Sequence, residues 1–302
     1  SKPIDDVDGR MMWHKETPIY VLAGNEQAKL FPLNNAMHDK SDREPPRPSS
    51  ASTTPPPPQQ QQQSNNQNPS VHVINLERST QRWEAISQSA AKVNVPLHRF
   101  NAIDLAAVAS GAHDKVIAEV GVTQRCIAMD KRKLGYTNLT IAVWLSHVLL
   151  YEQLSSQLGP DDLAVVLEDD VKFQPGWREN LERVMRTAPA DWTMLRVNSW
   201  GKRREKDKAT SNWYRPTEPF KTFSGNRETI YYGGAGAQLL RGRDIPRVIA
   251  YLKSKPIDDV DGRMMWHKET PIYVLAGNEQ AKLFPLNQAL HGKSDRDPPK
   301  PR

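Results

Sequence analysis

Ala164-Val165-Val166-Leu167-Glu168-Asp169-Asp170-Val171 joins a short apolar run, two of its four residues β-branched, to three consecutive carboxylates. The run is too short for a helix and too continuous for a half-exposed strand, so it reads as a strand buried on both faces. A strand that ends in Glu-Asp-Asp sets acidic side chains at the carboxyl edge of a sheet, where open α/β folds bind ligands. Three adjacent carboxylates repel one another, and a half-buried set needs a cation. Mg²⁺ or Mn²⁺, hard ions with oxygen ligands that bridge to substrate phosphates, meet that demand. Read alone, the triplet is equally a strand followed by a solvated acidic turn.

Outward from this strand, apolar residues recur at helical spacing from Leu139 to Leu158, and Gly159-Pro160 stops that helix. On the other side, residues 176–187 read as a helix and 192–197 as a strand. Val71-His72-Val73-Ile74-Asn75-Leu76 is a strand by β-branched content. Ser79 is placed to cap a helix through about Val93 that carries Arg82 and Trp83. A second strand fits 97–101, with Asp104 shortly after it, and 105–133 is mixed with some helical character. Strand and helix in alternation predict an α/β sheet. Later, 213–224 and 228–232 read as short extended pieces around loops. Tyr231-Tyr232-Gly233-Gly234-Ala235-Gly236-Ala237 lacks the dinucleotide-binding spacing; its glycines read as backbone brought close to a ligand or another strand. Residues 243–253 read as a helix, 257–268 carries Asp258, Asp259 and Asp261 at a helix start, and 271–275 reads as a last strand.

The 302 residues are 37% hydrophobic and 25% charged, and no apolar run reaches membrane-spanning length. Cys126 is the single cysteine, which excludes an internal disulfide and a cysteine-rich zinc site. The net charge is +6, its most basic run being Lys202 to Lys208, a solvated loop or a basic cover over a phosphate site. Without a basic stripe interleaved with aromatics, nucleic acid is not an expected partner. Residues 1–48 repeat as 254–301 with five differences, Asn35/Gln288, Met37/Leu290, Asp39/Gly292, Glu44/Asp297 and Arg47/Lys300. The N-terminal piece therefore reads as the C-terminal fragment of an upstream copy in a tandem array. Residues 49–70, with four prolines in a row and then five glutamines, read as a disordered linker. One complete domain is expected at about 71–297, and 298–302 as the start of the next linker.

These ordered elements resemble glycosyltransferase family 25, which includes bacterial lipooligosaccharide galactosyltransferases and animal collagen galactosyltransferases. The resemblance rests on Val73-Ile74-Asn75-Leu76-Glu77-Arg78 with Gln81-Arg82-Trp83, on Arg99 to Asp104, and on Leu145-Ser146-His147. It continues through Leu167-Glu168-Asp169-Asp170, Gly233 to Ala237, Pro256-Ile257-Asp258-Asp259 and Ser294-Asp295. Together and in order, these motifs are far more specific than any one. A departure stands before the Ser-His pair, where a G-E-I-G-C-type run is replaced by Leu139-Thr140-Ile141-Ala142-Val143.

What the resemblance implies is an inverting, metal-assisted transferase with a GT-A-like, Rossmann-like mixed sheet. It would move a hexose, galactose or similar, from a nucleotide-sugar donor, a UDP-hexose, to a glycan or protein hydroxyl. Glu168, Asp169 and Asp170, a DxD-like set, would hold Mn²⁺ or Mg²⁺. Asn75, Arg78, Arg82, Asp104, Ser146, His147, Gly233 and Gly234 would contact the donor, and Asp258 or Asp259 would be the general base. The implied compartment is the endomembrane lumen for a eukaryotic source and the cytoplasm for a bacterial one. Two rival readings stand beside this: a degenerate copy that only binds sugar or nucleotide, and a scaffolding module in a tandem-repeat protein. Asp258 and Asp259 also suit the first turn of a helix, His147 a hydrogen-bonded core position, and Arg78 and Arg82 a solvated helix face.

Overall fold

A computed structural model of the protein describes residues 68–130, 135–217, 221–224, 227–263 and 270–290. The repeated segment 1–48, most of the linker expected at 49–70 and Ser294-Asp295 lie outside these residues.

The chain enters through β1 (Ser70–Asn75), crosses over by α1 (Thr80–Ala91) and returns in β2 (His98–Asn101), parallel to β1. Ser79 sits at the start of α1, but no side-chain hydrogen bond caps the helix there, contrary to the sequence expectation. The mixed stretch resolves into three short helices, α2 (Leu105–Ala109), α3 (Asp114–Val120) and α4 (Gln124–Asp130). Asp104 starts α2 in extended backbone and accepts the N–H groups of Ala106 and Ala107.

The long apolar helix is α5 (Tyr136–Gln157). Trp144, Leu145, Leu150, Tyr151 and Leu154 along it are fully buried, as expected of a helix that is apolar around much of its circumference. It feeds β3 (Leu163–Glu168), whose central residues Ala164 to Leu167 are wholly inaccessible. Then come α6 (Trp177–Met185) and β4 (Met194–Trp200). The loop-rich part holds β5 (Trp213–Tyr214) and the hairpin of β6 (Lys221–Ser224) with β7 (Arg227–Ile230). Last are β8 (Gly233–Arg241), α7 (Ile245–Lys253), α8 (Val260–Arg263), β9 (Ile272–Leu275) and α9 (Gly277–Gln280).

The seven-stranded sheet has the order β2-β1-β3-β8-β4-β9-β5. β2, β1, β3, β4 and β9 run one way, while β8, antiparallel to both β3 and β4, is inserted between them. Side chains alternate across the strands. Val166, Met194 and Leu240 meet α5 and α7 on one face, and Leu167, Leu195 and Leu239 meet α1 and α6 on the other. The result is a Rossmann-like α/β layering with helices on both faces. No described helix is long and apolar enough to cross a membrane.

This topology decides where chemistry can gather. β1, β2, β3 and β4 all end on one edge, at Asn75, Asn101, Glu168 and Trp200, and the reversed β8 begins there, at Gly233.

Candidate functional site

A cleft open to solvent lies over the ends of β1 and β3, between the turn into α1, the start of α2 and the N-terminal half of α5. Arg78, Arg82, Asp104, Ser146, His147 and the whole of Glu168-Asp169-Asp170 line it, over an apolar floor that includes Ile74, Ala142 and Val143.

The carboxylates of the triplet are not equivalent. Asp169 accepts from Asn75 Nδ2 at 2.6 Å and from Arg82 Nη1 at 2.8 Å, with both ionic partners largely shielded. Asn75 is itself held by Arg99, whose Nη2 donates to Asn75 Oδ1 at 2.5 Å and to two backbone carbonyls of the β1–α1 turn. Asp169 is therefore an internal strut, and within the triplet Glu168 and Asp170 are the candidates for meeting a ligand's cation. Two carboxylates would suit Mg²⁺ or Mn²⁺, which keep water and substrate oxygens in their shell. Among the described residues no group of three or more His, Cys, Asp or Glu is placed to hold a metal ion.

Arg78 pairs with Asp104 at the rim of the cleft. Burial alone would raise the Asp104 pKa, but the N–H groups of Ala106 and Ala107 and the Arg78 charge outweigh it and hold it below the usual range. Asp104 thus serves first as a helix cap. Ser146 Oγ accepts the Ile103 N–H at 2.8 Å, fastening the β2–α2 turn to α5. His147 is buried, 3.4 Å from Glu168 Oε1 through Nε2 and 3.3 Å from the Tyr151 hydroxyl through Nδ1. Tyr151 donates onward to Gln238 Oε1 on β8 at 2.9 Å, so a polar chain runs under the cleft from Glu168 to the centre of the sheet.

Beside that chain lies Arg196 of β4, fully buried, with all three guanidinium nitrogens lacking a hydrogen-bond partner among the described residues. Burial brings its pKa down to about 10, while the charges of Asp261 and Glu168 act the other way. Asp261 in α8 accepts the Gly234 N–H at 2.8 Å. Its pKa is raised, first by burial and then by the Glu168 charge, with Arg196 and the Gly234 N–H opposing.

Five expected donor or catalytic residues do not line the cleft: Asn75 is buried behind Asp169, and the other four stand elsewhere. Asp258 and Asp259 both bind Arg125, and Asp259 also accepts from the Tyr136 hydroxyl at 2.8 Å. Burial favours a raised Asp258 pKa, but its hydrogen bonds to Arg125 and the Asp259 N–H win and lower it. Neither carboxylate lines the cleft, nor does Asp261. Gly233 and Gly234 do not line it either: a Cβ on Gly233 would meet the Trp200 indole at 2.8 Å, and one on Gly234 at 2.6 Å. Their lack of side chains makes room for an aromatic ring.

The basic run is partly packed rather than a free cover. The Arg204 guanidinium lies 3.6 Å from the centre of the Tyr231 ring, Arg203 lies 5.1 Å from that of Tyr232, and the Tyr232 hydroxyl donates to Asp207 at 2.8 Å.

Tyr151, Arg196 and Gln238 did not stand out in the sequence, and Arg99 entered only as the start of a motif, with no role assigned. Arg196 and Gln238 are single polar residues inside apolar strands, and that interruption is the one signal they leave. A family model described as glycosyltransferase family 25 (LPS biosynthesis protein) matches residues 68–254. A search of curated proteins returns no match.

Proposed function

The chain belongs to glycosyltransferase family 25, and from that premise we propose that it transfers a hexose from a nucleotide-sugar donor, a UDP-hexose, to a hydroxyl of a glycan or protein, with inversion. The observation that carries this reading is the cleft at the sheet edge, where the complete Glu168-Asp169-Asp170 triplet meets Arg78 and Arg82.

In this reading the nucleoside lies over β1 and β2, against Ile74, Ala142 and Val143, and its diphosphate faces Arg78 and Arg82. Glu168 and Asp170 would hold Mn²⁺ or Mg²⁺, which offsets the charge gathering on the leaving diphosphate. Asp169 keeps Arg82 and Asn75 in place through its two hydrogen bonds. His147 orients Glu168 from below.

Inversion requires a base on the acceptor side. Asp258 and Asp259 are tied to Arg125, so Asp261 takes that role. Its carboxylate accepts the proton of the acceptor hydroxyl as the oxygen bonds to the anomeric carbon. The bond from that carbon to phosphate oxygen breaks on the opposite face, and its electron pair leaves with the nucleoside diphosphate. The Gly234 N–H orients Asp261, and the buried Arg196 balances the paired charges of Asp261 and Glu168.

One observation favours a second reading, a copy that binds sugar or nucleotide without turning over. Leu139, Ala142 and Val143, part of the run that departs from the family pattern, line the cleft itself. Calorimetric titration with UDP, with Mn²⁺ and then with EDTA, tests both. Binding is expected to need the metal and to be lost in Asp170→Ala, and hydrolysis of a UDP-hexose panel then separates an active enzyme from a binding copy. No nucleotide binding under any condition overturns the transferase and leaves a sugar-binding or scaffolding copy.

A further inference from the structure

Trp200 ends β4 on the edge that holds the cleft, and with Ile127 it is one of two large hydrophobic side chains exposed among the described residues, at 42%. A lone exposed aromatic is ordinary. This one is seated: Gly233 and Gly234 let its indole rest against their backbone, where any Cβ would collide. Gly234 is also the residue whose N–H holds the Asp261 carboxylate. The apolar plate and the acid thus share one glycine, the first on its Cβ side and the second on its amide.

Order along the edge adds the direction. The cleft covers β1 and β3, β8 comes next, and β4 with Trp200 follows. Neighbouring strands lie about 4.8 Å apart, so β4 lies roughly 10 Å to the side of β3, and Trp200, paired with Gly233, stands beyond the level at which Leu167 pairs with Ala237. The acceptor side is thus placed past the cleft, across β8. Arg203 reaches the backbone here, its Nη1 donating to the Trp200 carbonyl at 3.5 Å.

We propose that Trp200, seated on Gly233 and Gly234, is the stacking platform for a pyranose ring of the acceptor, which presents its hydroxyl to Asp261. The C–H face of a sugar covers an indole face well. The inference rests on the transferase reading above, with the acceptor identified as a saccharide rather than a bare protein hydroxyl.

The test is saturation-transfer NMR on the full chain with methyl β-galactoside and lactose as probes, and UDP titrated in the same samples. Wild type, Trp200→Ala and Trp200→Tyr are compared. Saccharide affinity is expected to fall about tenfold in the alanine variant and to be retained by tyrosine, with UDP affinity unchanged in both. Saccharide binding that is equal in Trp200→Ala and wild type, or absent from wild type while UDP binds, overturns the platform and leaves the transferase reading intact. Trp200-dependent saccharide binding without any UDP binding supports the platform and removes the transferase reading instead.

Discussion

Asp258 and Asp261 sit three positions apart in one short segment and face different surroundings. Asp258 is neutralised by Arg125, and Asp261 shares a buried neighbourhood with Glu168 and Arg196. Substituting each by Asn should separate structure from chemistry. Asp261→Asn is expected to lower kcat by about 10²–10⁴-fold with UDP binding preserved. Asp258→Asn should cost about 1–3 kcal/mol of stability, seen in a urea melt, and leave turnover per folded molecule nearly unchanged. Sequence alone could not sort these acids, since three aspartates at a helix start look alike. What distinguishes them is tertiary: Arg125 arrives from α4 and Gly234 from β8. The acidic triplet was legible because an apolar run that passes straight into three carboxylates marks a buried strand reaching the edge of its sheet. That Asp169 is a strut was not legible, because Asn75 and Arg82 reach it from far away in the chain.

At the scale of elements, the central strands and α5 followed from apolar periodicity, and the departures lie where local signals are weak. The stretch after Asp104 became three short helices, of which α3 buries no residue and leaves little periodicity to read. β8 was expected only as a glycine-rich stretch, because its reversal is a property of pairing rather than composition. Its exit is tightly packed. The Gly242 N–H donates to the Asp162 carbonyl, and a Cβ there would collide with the Gly159 carbonyl oxygen. Gly242→Ala should therefore force apart the loop that ends α5 and the turn into α7. The expected loss is about 1–3 kcal/mol in urea unfolding, with UDP affinity per folded molecule unchanged because the site lies at the opposite edge.

For the whole molecule, β1 carries a pH dependence of stability. His72 is buried and stacked on His98 with ring centres 4.9 Å apart. Burial first, and then the His98 charge, lower its pKa from 6.5 to about 4. The folded chain keeps His72 neutral while the unfolded chain takes up a proton below 6.5. This contribution is complete above pH 6.5 and is lost as pH falls toward about 4. Urea midpoints measured across that window should decline, and His72→Gln should flatten the decline.

The inserted, reversed β8 has a consequence for how such a protein can change. The chain leaves this edge at Trp200, adds the outer strand β5 on the way, and begins β8 at Gly233 on that same edge. Trp213 and Tyr232 are buried, which ties parts of that excursion to the core, but the loops between them can be rewritten without disturbing the order of the central strands. Diversification of what receives the sugar can therefore proceed through those loops, while the half built from the first three strands and α5 is inherited intact.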